Sequence, residues 1–405
     1  MTFNVANVTN KRVAVVAAGS ISPLGLGLGE TLESLQAARD CVGAVTRFDV
    51  ERCRCQTAAQ VREEGLQPVA NGSRAKRLHP ASNMMIRALN EALEQDRKFR
   101  PELAVIGTTS GGMSFGEQYY RALASHGRLQ RAPRWIANYS PQKPVIDALE
   151  AFGLEIPCQI IANACASGTN AIGHAFHCIR SGKHRQVLAG GYDALCELVF
   201  VGFDSLQAAT PDKCRPFDAD RTGMVLGEGA AILALEEWDS AQQRGAQILA
   251  ELTGYGISTD NHHLTQPNPS GIGPRQAMEQ ALQSAGADAA AVDYINAHGT
   301  ATKFNDAAEA KAIRDLFPSR PAVSSTKSMM GHSLGAAGAI EAVVCLLAIQ
   351  HSFLPPNINF TNSGEDIDLN IVANEARVGE VRTAVSNSFG FGGTNASIVL
   401  QAARP

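Results

Sequence analysis

The sequence of 405 residues carries no large excess of either charge: its net charge is −4 and its pI about 6.2. No global field therefore draws nucleic acid, and an acidic partner has to be met by a local basic patch. An even set of cysteines is also missing. The nine cysteines are scattered, with one close pair (Cys53 and Cys55) and no paired CxxC motifs. That argues against a disulfide framework and a structural zinc site, and fits a reducing cytosol. No stretch reaches the roughly eighteen uninterrupted apolar residues of a membrane span. The apolar run 13–28 is broken by Gly19, Pro23, Gly25 and Gly27, so it reads as a strand and turn, not a signal peptide. Short repeats, low-complexity tracts and flexible linkers are absent as well. These absences lead to an expectation of a cytoplasmic protein with neither a nucleic-acid nor a membrane partner.

Glycine, in contrast, is plentiful. The 37 glycines cluster in a few turns, several of which follow apolar strands. Strands are expected over 12–18, 103–108, 158–164, 186–190, 229–235 and 248–255. The helix expected over 166–181 has Gly182 as its stop. In the second half, helices are expected over 275–285, 305–316 and 334–350, the last apolar enough to be buried. Strands are expected over 292–297 and 322–326, and 383–389 with 396–401 reads as a closing hairpin around 390–393. With 45% hydrophobic and 18% charged residues, the chain can build one large core or two fused halves. The pattern implies a layered α/β fold, with halves 1–252 and 253–405.

Three turns carry reactive side chains. Cys165 lies in NACASG (163–168), at the end of an apolar strand and the start of a helix. A helix N-terminus there lowers a thiol pKa and frees backbone N–H groups for an oxyanion; the other reading is a small buried hydrophobe. His298 lies in NAHGTAT (296–302), beside Thr300 and Thr302. Strand ends in α/β folds are where sites form, although two such threonines also commonly bond their own backbone. His332 lies in STKSMMGHSLGAAG (325–338), five residues after Lys327. Glu341 sits on the apolar helix that follows. A carboxylate there needs a partner, and Lys327 is the candidate. Asp306 and Glu309 share a helix face; they either pair with Lys327, hold a histidine or form a solvated helix start. In SFGFGGTNA (388–396), Gly390, Gly392 and Gly393 form a turn able to present the N–H of Phe391. The adjacent His262 and His263 diverge in direction and read as loop residues, so no metal site is expected.

With these strings in place, the chain resembles the β-ketoacyl-acyl carrier protein synthases of the elongating Cys-His-His class. The likeness runs nearly end to end, through VAVVAAGSISPLG (13–25), NACASG, RPFDADRTGMVLGEGAAILALEE (215–237), NAHGTAT, KSMMGHSLGAAGAIE (327–341) and SNSFGFGGTNASIVL (386–400). It implies a thiolase-like fold, two similar halves in five α-β-α-β-α layers, usually dimeric. It implies Cys165 as the acyl acceptor, with His298 and His332 binding the malonyl thioester. Lys327 and Glu341 become a supporting pair, and Asp306 and Glu309 match acidic positions of the same family string. Phe391, between Gly390 and Gly392, becomes a gate that completes the oxyanion hole. Thr300 and Thr302 match pantetheine-binding threonines. Ser110, in the turn 109–112, falls where some members carry a bulky aliphatic gate, which implies a more open acyl pocket. Asn163 and Ala166 also differ from the commonest versions. No bound cofactor is implied, because phosphopantetheine arrives on the acyl carrier protein, and Arg74, Lys76 and Arg77 are candidates to receive that acidic partner.

Rival readings differ by single features. A coenzyme A-dependent thiolase needs a second cysteine near the C-terminal glycine turn, which has none. A Cys-His-Asn starter enzyme conflicts with His332. A non-catalytic chain-length subunit conflicts with Cys165. Homodimer and heterodimer with a chain-length factor both remain open, as do primary fatty-acid elongation and a specialised polyketide pathway.

Overall fold

The computed structural model describes residues 10–67, 78–126 and 133–403. Eleven strands pair into one mixed sheet. They are β1 (Val13–Ile21), β2 (Leu103–Gly107), β3 (Cys158–Ile161), β4 (Gln186–Asp193), β5 (Gly229–Glu237) and β6 (Ala250–Thr259), followed by β7 (Tyr294–Asn296), β8 (Ala322–Ser324), β9 (Asn370–Ile371), β10 (Thr383–Gly390) and β11 (Thr394–Gln401). Helices that pack on the sheet or stand beside the site include α1 (Pro80–Gln95), α2 (Ser167–Arg180), α3 (Glu197–Ser205), α4 (Ile272–Ala285), α5 (Lys303–Leu316) and α6 (Ala337–His351).

The strand order is β9-β8-β7-β10-β11-β6-β1-β5-β4-β2-β3. Read outward from the β6–β1 junction, both sides repeat one plan. β1 and β6 pair antiparallel to β5 and β11, which pair antiparallel to β4 and β10. Parallel strands β2 and β3, or β7 and β8, then complete each side. The chain is thus a structural duplication, and its second set of strands begins with β6. The boundary expected at 252–253 falls inside that strand.

The sheet wraps around two helices. α2 packs on β2 and β4 but also touches β11 and β6, and α6 packs on β10, β5, β4 and α2. α1 covers the outer face of β1 and β5, while α4 covers β6 and β11 with α5 beside it. The result is the five-layered thiolase-like fold. α6 is apolar on all sides because it has no solvent face: every residue from Ala337 to Ile349 is buried. Among the described residues, Leu334–His351 is the one helical stretch long and apolar enough to cross a membrane, and 89% of it is buried inside the fold.

Two strands stop short of their expected ends by two or more residues, both beside reactive residues. The strand expected over 158–164 ends at Ile161, and Ala164 takes a left-handed φ of 56°. The strand expected over 322–326 ends at Ser324, and Lys327 opens a short helical turn, Lys327–Met330. The hairpin forms as expected, with register from Thr383↔Gln401 to Gly390↔Thr394.

Candidate active site

Cys165 follows the strained Ala164 and precedes α2. Ser167 braces this elbow: its hydroxyl donates to the Ala164 carbonyl at 2.6 Å and accepts the Asn163 N–H at 3.0 Å. The thiol itself is buried. Burial pushes it up to about 11, against the pull of the Lys327 charge and of the Phe391 and Cys165 N–H groups. The acidified thiol expected from a helix N-terminus is therefore not found; in this dry pocket desolvation outweighs the local dipoles.

His298 leaves the end of β7 and is held through its backbone. Its N–H and that of Gly299 donate to the two oxygens of Glu309, at 2.9 and 2.8 Å. Asn387 donates to the same carboxylate at 3.1 Å. Glu309 thus takes the histidine-holding option, while Asp306 takes none of those expected. Asp306 receives the Phe217 N–H at 2.8 Å, where Phe217 has a left-handed φ of 65°. Neither acid pairs with Lys327. Burial raises Asp306 to about 6 and Glu309 to about 7, opposed by these N–H donors.

His332 is pinned from both sides. Its N–H donates to Val225 at 2.7 Å and its carbonyl accepts from Gly227 at 2.9 Å. Leu334 N–H donates to ring atom Nδ1 at 3.2 Å, so the ring proton sits on Nε2. That Nε2 is buried without a partner, as is Nδ1 of His298. The two rings stand edge to face, 5.3 Å apart. Sγ of Cys165 and one nitrogen of each ring lie within 4.8 Å of one another. Burial, then the Lys327 charge, holds both imidazoles well below their usual range, so both are neutral. Behind them Lys327 and Glu341, both fully buried, form an ion pair. Burial raises Glu341 to about 7 against the attraction of Lys327, and its Oε2 has no partner.

Cys165, both histidines, Thr300, Thr302 and Phe391 line one cavity of about 350 Å³. The two threonine hydroxyls lie 2.9 Å apart. Gly390 packs closely on the elbow: a Cβ there would lie 3.2 Å from Cys165 N, so the elbow would have to give by a few tenths of an ångström. Gly392 and Gly393 take left-handed φ values of 85° and 78°, which only glycine adopts cheaply. This turn brings the Phe391 N–H to the sulfur. Ser110, in contrast, is absent from the cavity wall, and its hydroxyl is committed to Asp193 at 2.6 Å. Arg74, Lys76 and Arg77 lie outside the described residues.

Sequence reasoning passed over several supports. Val225 and Gly227 of the 215–237 string brace His332, and Phe203 on α3 packs on Phe391 with ring centroids 5.5 Å apart. Asp193, fully buried at the end of β4, was also missed; its one signal was an acid closing an apolar strand.

A sulfur and two imidazoles at this spacing could ligate a soft cation such as zinc. As neutral groups in a cavity with two inward N–H donors, they also suit nucleophilic chemistry on a carbonyl. The comparisons agree with that chemistry. Residues 10–241 match the model of the β-ketoacyl synthase N-terminal domain, and residues 249–361 that of the C-terminal domain. A 3-oxoacyl-(acyl-carrier-protein) synthase 2 from Synechocystis is 36% identical over 98% of this chain and 99% of its own. Its counterpart from Coxiella burnetii is 38% identical over 96% and 98%. Among solved structures, the ishigamide ketosynthase/chain length factor has a TM-score of 0.91 at 35% identity, covering 98% of this chain and 100% of that one. A β-ketoacyl synthase from Burkholderia phymatum has a TM-score of 0.88 at 32% identity, over 97% and 100%. By these matches the chain belongs to the β-ketoacyl synthase family.

Proposed function

We propose that the protein condenses an acyl group held on Cys165 with a malonyl group carried on acyl carrier protein, releasing carbon dioxide and lengthening the chain by two carbons. The observation that carries this reading is the convergence of Cys165 with two neutral imidazoles in one buried cavity. Acyl transfer comes first. Cys165 sulfur attacks the incoming thioester, its proton passes to His298, and the carrier thiol leaves with that proton. His298 is assigned this task because no backbone bond fixes its tautomer, whereas Nε2 of His332 already bears hydrogen. In the second stage both imidazoles donate to the malonyl thioester oxygen. The C–C bond to carbon dioxide breaks and its electron pair enters the enolate. That carbon attacks the acyl-Cys165 carbonyl, the N–H groups of Cys165 and Phe391 hold the oxyanion, and the thiolate leaves and takes one proton from solvent, replacing the one that left with the first carrier thiol. One such donor is worth about 3–4 kcal/mol of barrier. The phosphopantetheine belongs to the carrier, so the scheme needs no resident cofactor.

The 3-oxoacyl-(acyl-carrier-protein) synthase 2 relatives favour fatty-acid elongation as the setting. A second reading is a specialised pathway with a partner subunit. It draws on the likeness to a ketosynthase/chain length factor and, at 28% identity, to a polyketide ketosynthase solved with its acyl-carrier protein. The outer side of β3, a sheet edge with partly exposed residues, suits pairing with a second subunit in either case.

The test is intact-mass measurement after mixing with a panel of acyl carrier proteins and then malonyl carrier protein. A gain on Cys165, followed by a product two carbons longer, is expected. Loading by no acyl group would point to a partner-dependent subunit. Cys165→Ala is expected to abolish condensation and leave malonyl decarboxylation detectable.

A further inference from the structure

Asp193 accepts five hydrogen bonds although it is fully buried. Four come from the turn after β2, three of them to Oδ1: Thr108 Oγ1 at 2.9 Å, Ser110 N at 2.7 Å and Ser110 Oγ at 2.6 Å. Oδ2 is shared between two turns. It accepts Thr109 N at 2.9 Å and, from the turn that follows His332, Gly335 N at 2.7 Å.

Both turns lead to reactive groups. Thr109 Oγ1 donates to the Ala164 carbonyl at 3.2 Å, the residue whose left-handed backbone sets the direction of Cys165. On the other side Gly335 follows Leu334, which also has a left-handed φ, of 53°, and whose N–H fixes the tautomer of His332. The two turns are also in direct contact: a Cβ on Gly335 would meet Thr108 C and Thr109 N at 2.6 Å. One carboxylate oxygen thus ties the nucleophile elbow to the donor turn. An uncompensated buried carboxylate would be costly; five donors meet that cost, and they all lie on segments adjoining the site.

We infer that Asp193 is a positioning residue that fixes the separation between the Cys165 sulfur and the Nε2–H of His332. This rests on the condensing reaction proposed above, in which His332 donates to the malonyl thioester. Asp193→Asn keeps the shape but replaces one acceptor by a donor facing N–H groups, so the two turns separate. A misplacement of about an ångström costs on the order of 100-fold in rate.

The experiment compares Asp193→Asn with the full-length wild-type protein in two assays. Malonyl-carrier decarboxylation is expected to lose about 10- to 100-fold in kcat with KM unchanged. Alkylation of Cys165 by iodoacetamide is expected to shift to lower pH, because the Asp193 charge opposes the thiolate. The alkylation shift reports the lost charge; the discriminating readout is a loss confined to kcat, since a merely structural role would depress both activities together and change KM as well. Asp193→Glu, with charge and acceptors kept, should return alkylation to the wild-type profile and restore part of kcat. If Asp193→Asn does not fold, Thr108→Val with Ser110→Ala removes the two hydroxyl donors and should lower kcat severalfold. Unchanged kcat in Asp193→Asn or in that double variant, or parallel loss of both activities, overturns the inference. Wild-type protein that alkylates normally yet releases no carbon dioxide would count against the condensing reaction instead.

Discussion

Lys327→Met isolates what the buried ion pair does. The Lys327–Glu341 pair has no solvent contact, and Oε2 of Glu341 has no partner even with lysine present. Removing the ammonium has two costs. The first is the charge-assisted hydrogen bond, about 1.5–3 kcal/mol. The second depends on pH. Glu341 is already raised to about 7 from an ordinary 4.5, so between those values both wild type and variant hold its proton in the folded state. Both lose stability equally there as pH rises, because the native state binds more protons than the unfolded one. Above pH 7 wild-type Glu341 ionises and its loss stops. In the variant its pKa climbs further, and stability keeps falling by about 1.4 kcal/mol per pH unit. At pH 8 the two costs together reach about 3–4 kcal/mol, within the range for breaking a buried pair. Urea unfolding at pH 6 and pH 8 measures this directly. Lys327→Met with Glu341→Leu should recover the stability and lose the extra pH slope, since an apolar residue suits α6. It should not recover condensation, because the Lys327 charge also pulls down the Cys165 thiol. An equal deficit at both pH values would refute the titration of Glu341. Restored condensation in the double variant would reduce the pair to packing.

Alkylation of wild-type Cys165 should rise with pH through 7–9 without levelling near the ordinary thiol value. With the thiol at about 11, the thiolate fraction at pH 8 is only about one in a thousand; a plateau below pH 9 would contradict the burial argument. Gly390→Ala should slow acyl loading about 10- to 100-fold by moving the Phe391 N–H, and should destabilise the fold by about 1–3 kcal/mol through overpacking. Intact-mass time courses read the first effect, and loading at the wild-type rate would show that the turn has slack. Zinc in the micromolar range should leave Cys165 alkylation unchanged although the thiol and both imidazoles stand close, because Nδ1 of His332 is taken by Leu334 N–H and Nε2 bears hydrogen. Protection by zinc, reversed by chelator, would mean that His332 can change tautomer.

What was legible in the sequence was the chemistry of short turns. Cys165, His298, His332 and Phe391 each lie in a glycine- or alanine-rich string next to an apolar strand, and the structure brings all four to one cavity. Lys327 and Glu341 were also readable as a pair, since a lone carboxylate on an apolar helix has few ways to be tolerated. The fate of Asp306 and Glu309 was not readable. Three residues apart on one helix face, they look equivalent, yet one holds the His298 backbone and the other that of Phe217, about ninety residues earlier. Nothing local distinguishes them, because their partners are main-chain N–H groups whose positions depend on the tertiary fold.

The thiol shows a different limit. A helix start after a strand argues for a lowered pKa by a local rule that is sound for an exposed cysteine. Here α2 is a central helix, enclosed by both halves of the sheet and α6, so Cys165 is dehydrated by elements far along the chain. Local sequence carries the sign of the helix dipole's effect, whereas the architecture sets the desolvation that exceeds it. The same architecture keeps both imidazoles neutral, and this matters for function. A charged histidine could not accept the thiol proton, and an acidified thiolate would gain less from transfer to an acyl group. Burial makes the resting site uncharged at its three reactive atoms; the nearby Lys327 charge opposes burial at the thiol and adds to it at both imidazoles. Charge then develops only when a thioester enters, where the N–H donors of Cys165 and Phe391 and the Nε2–H of His332 are already aimed.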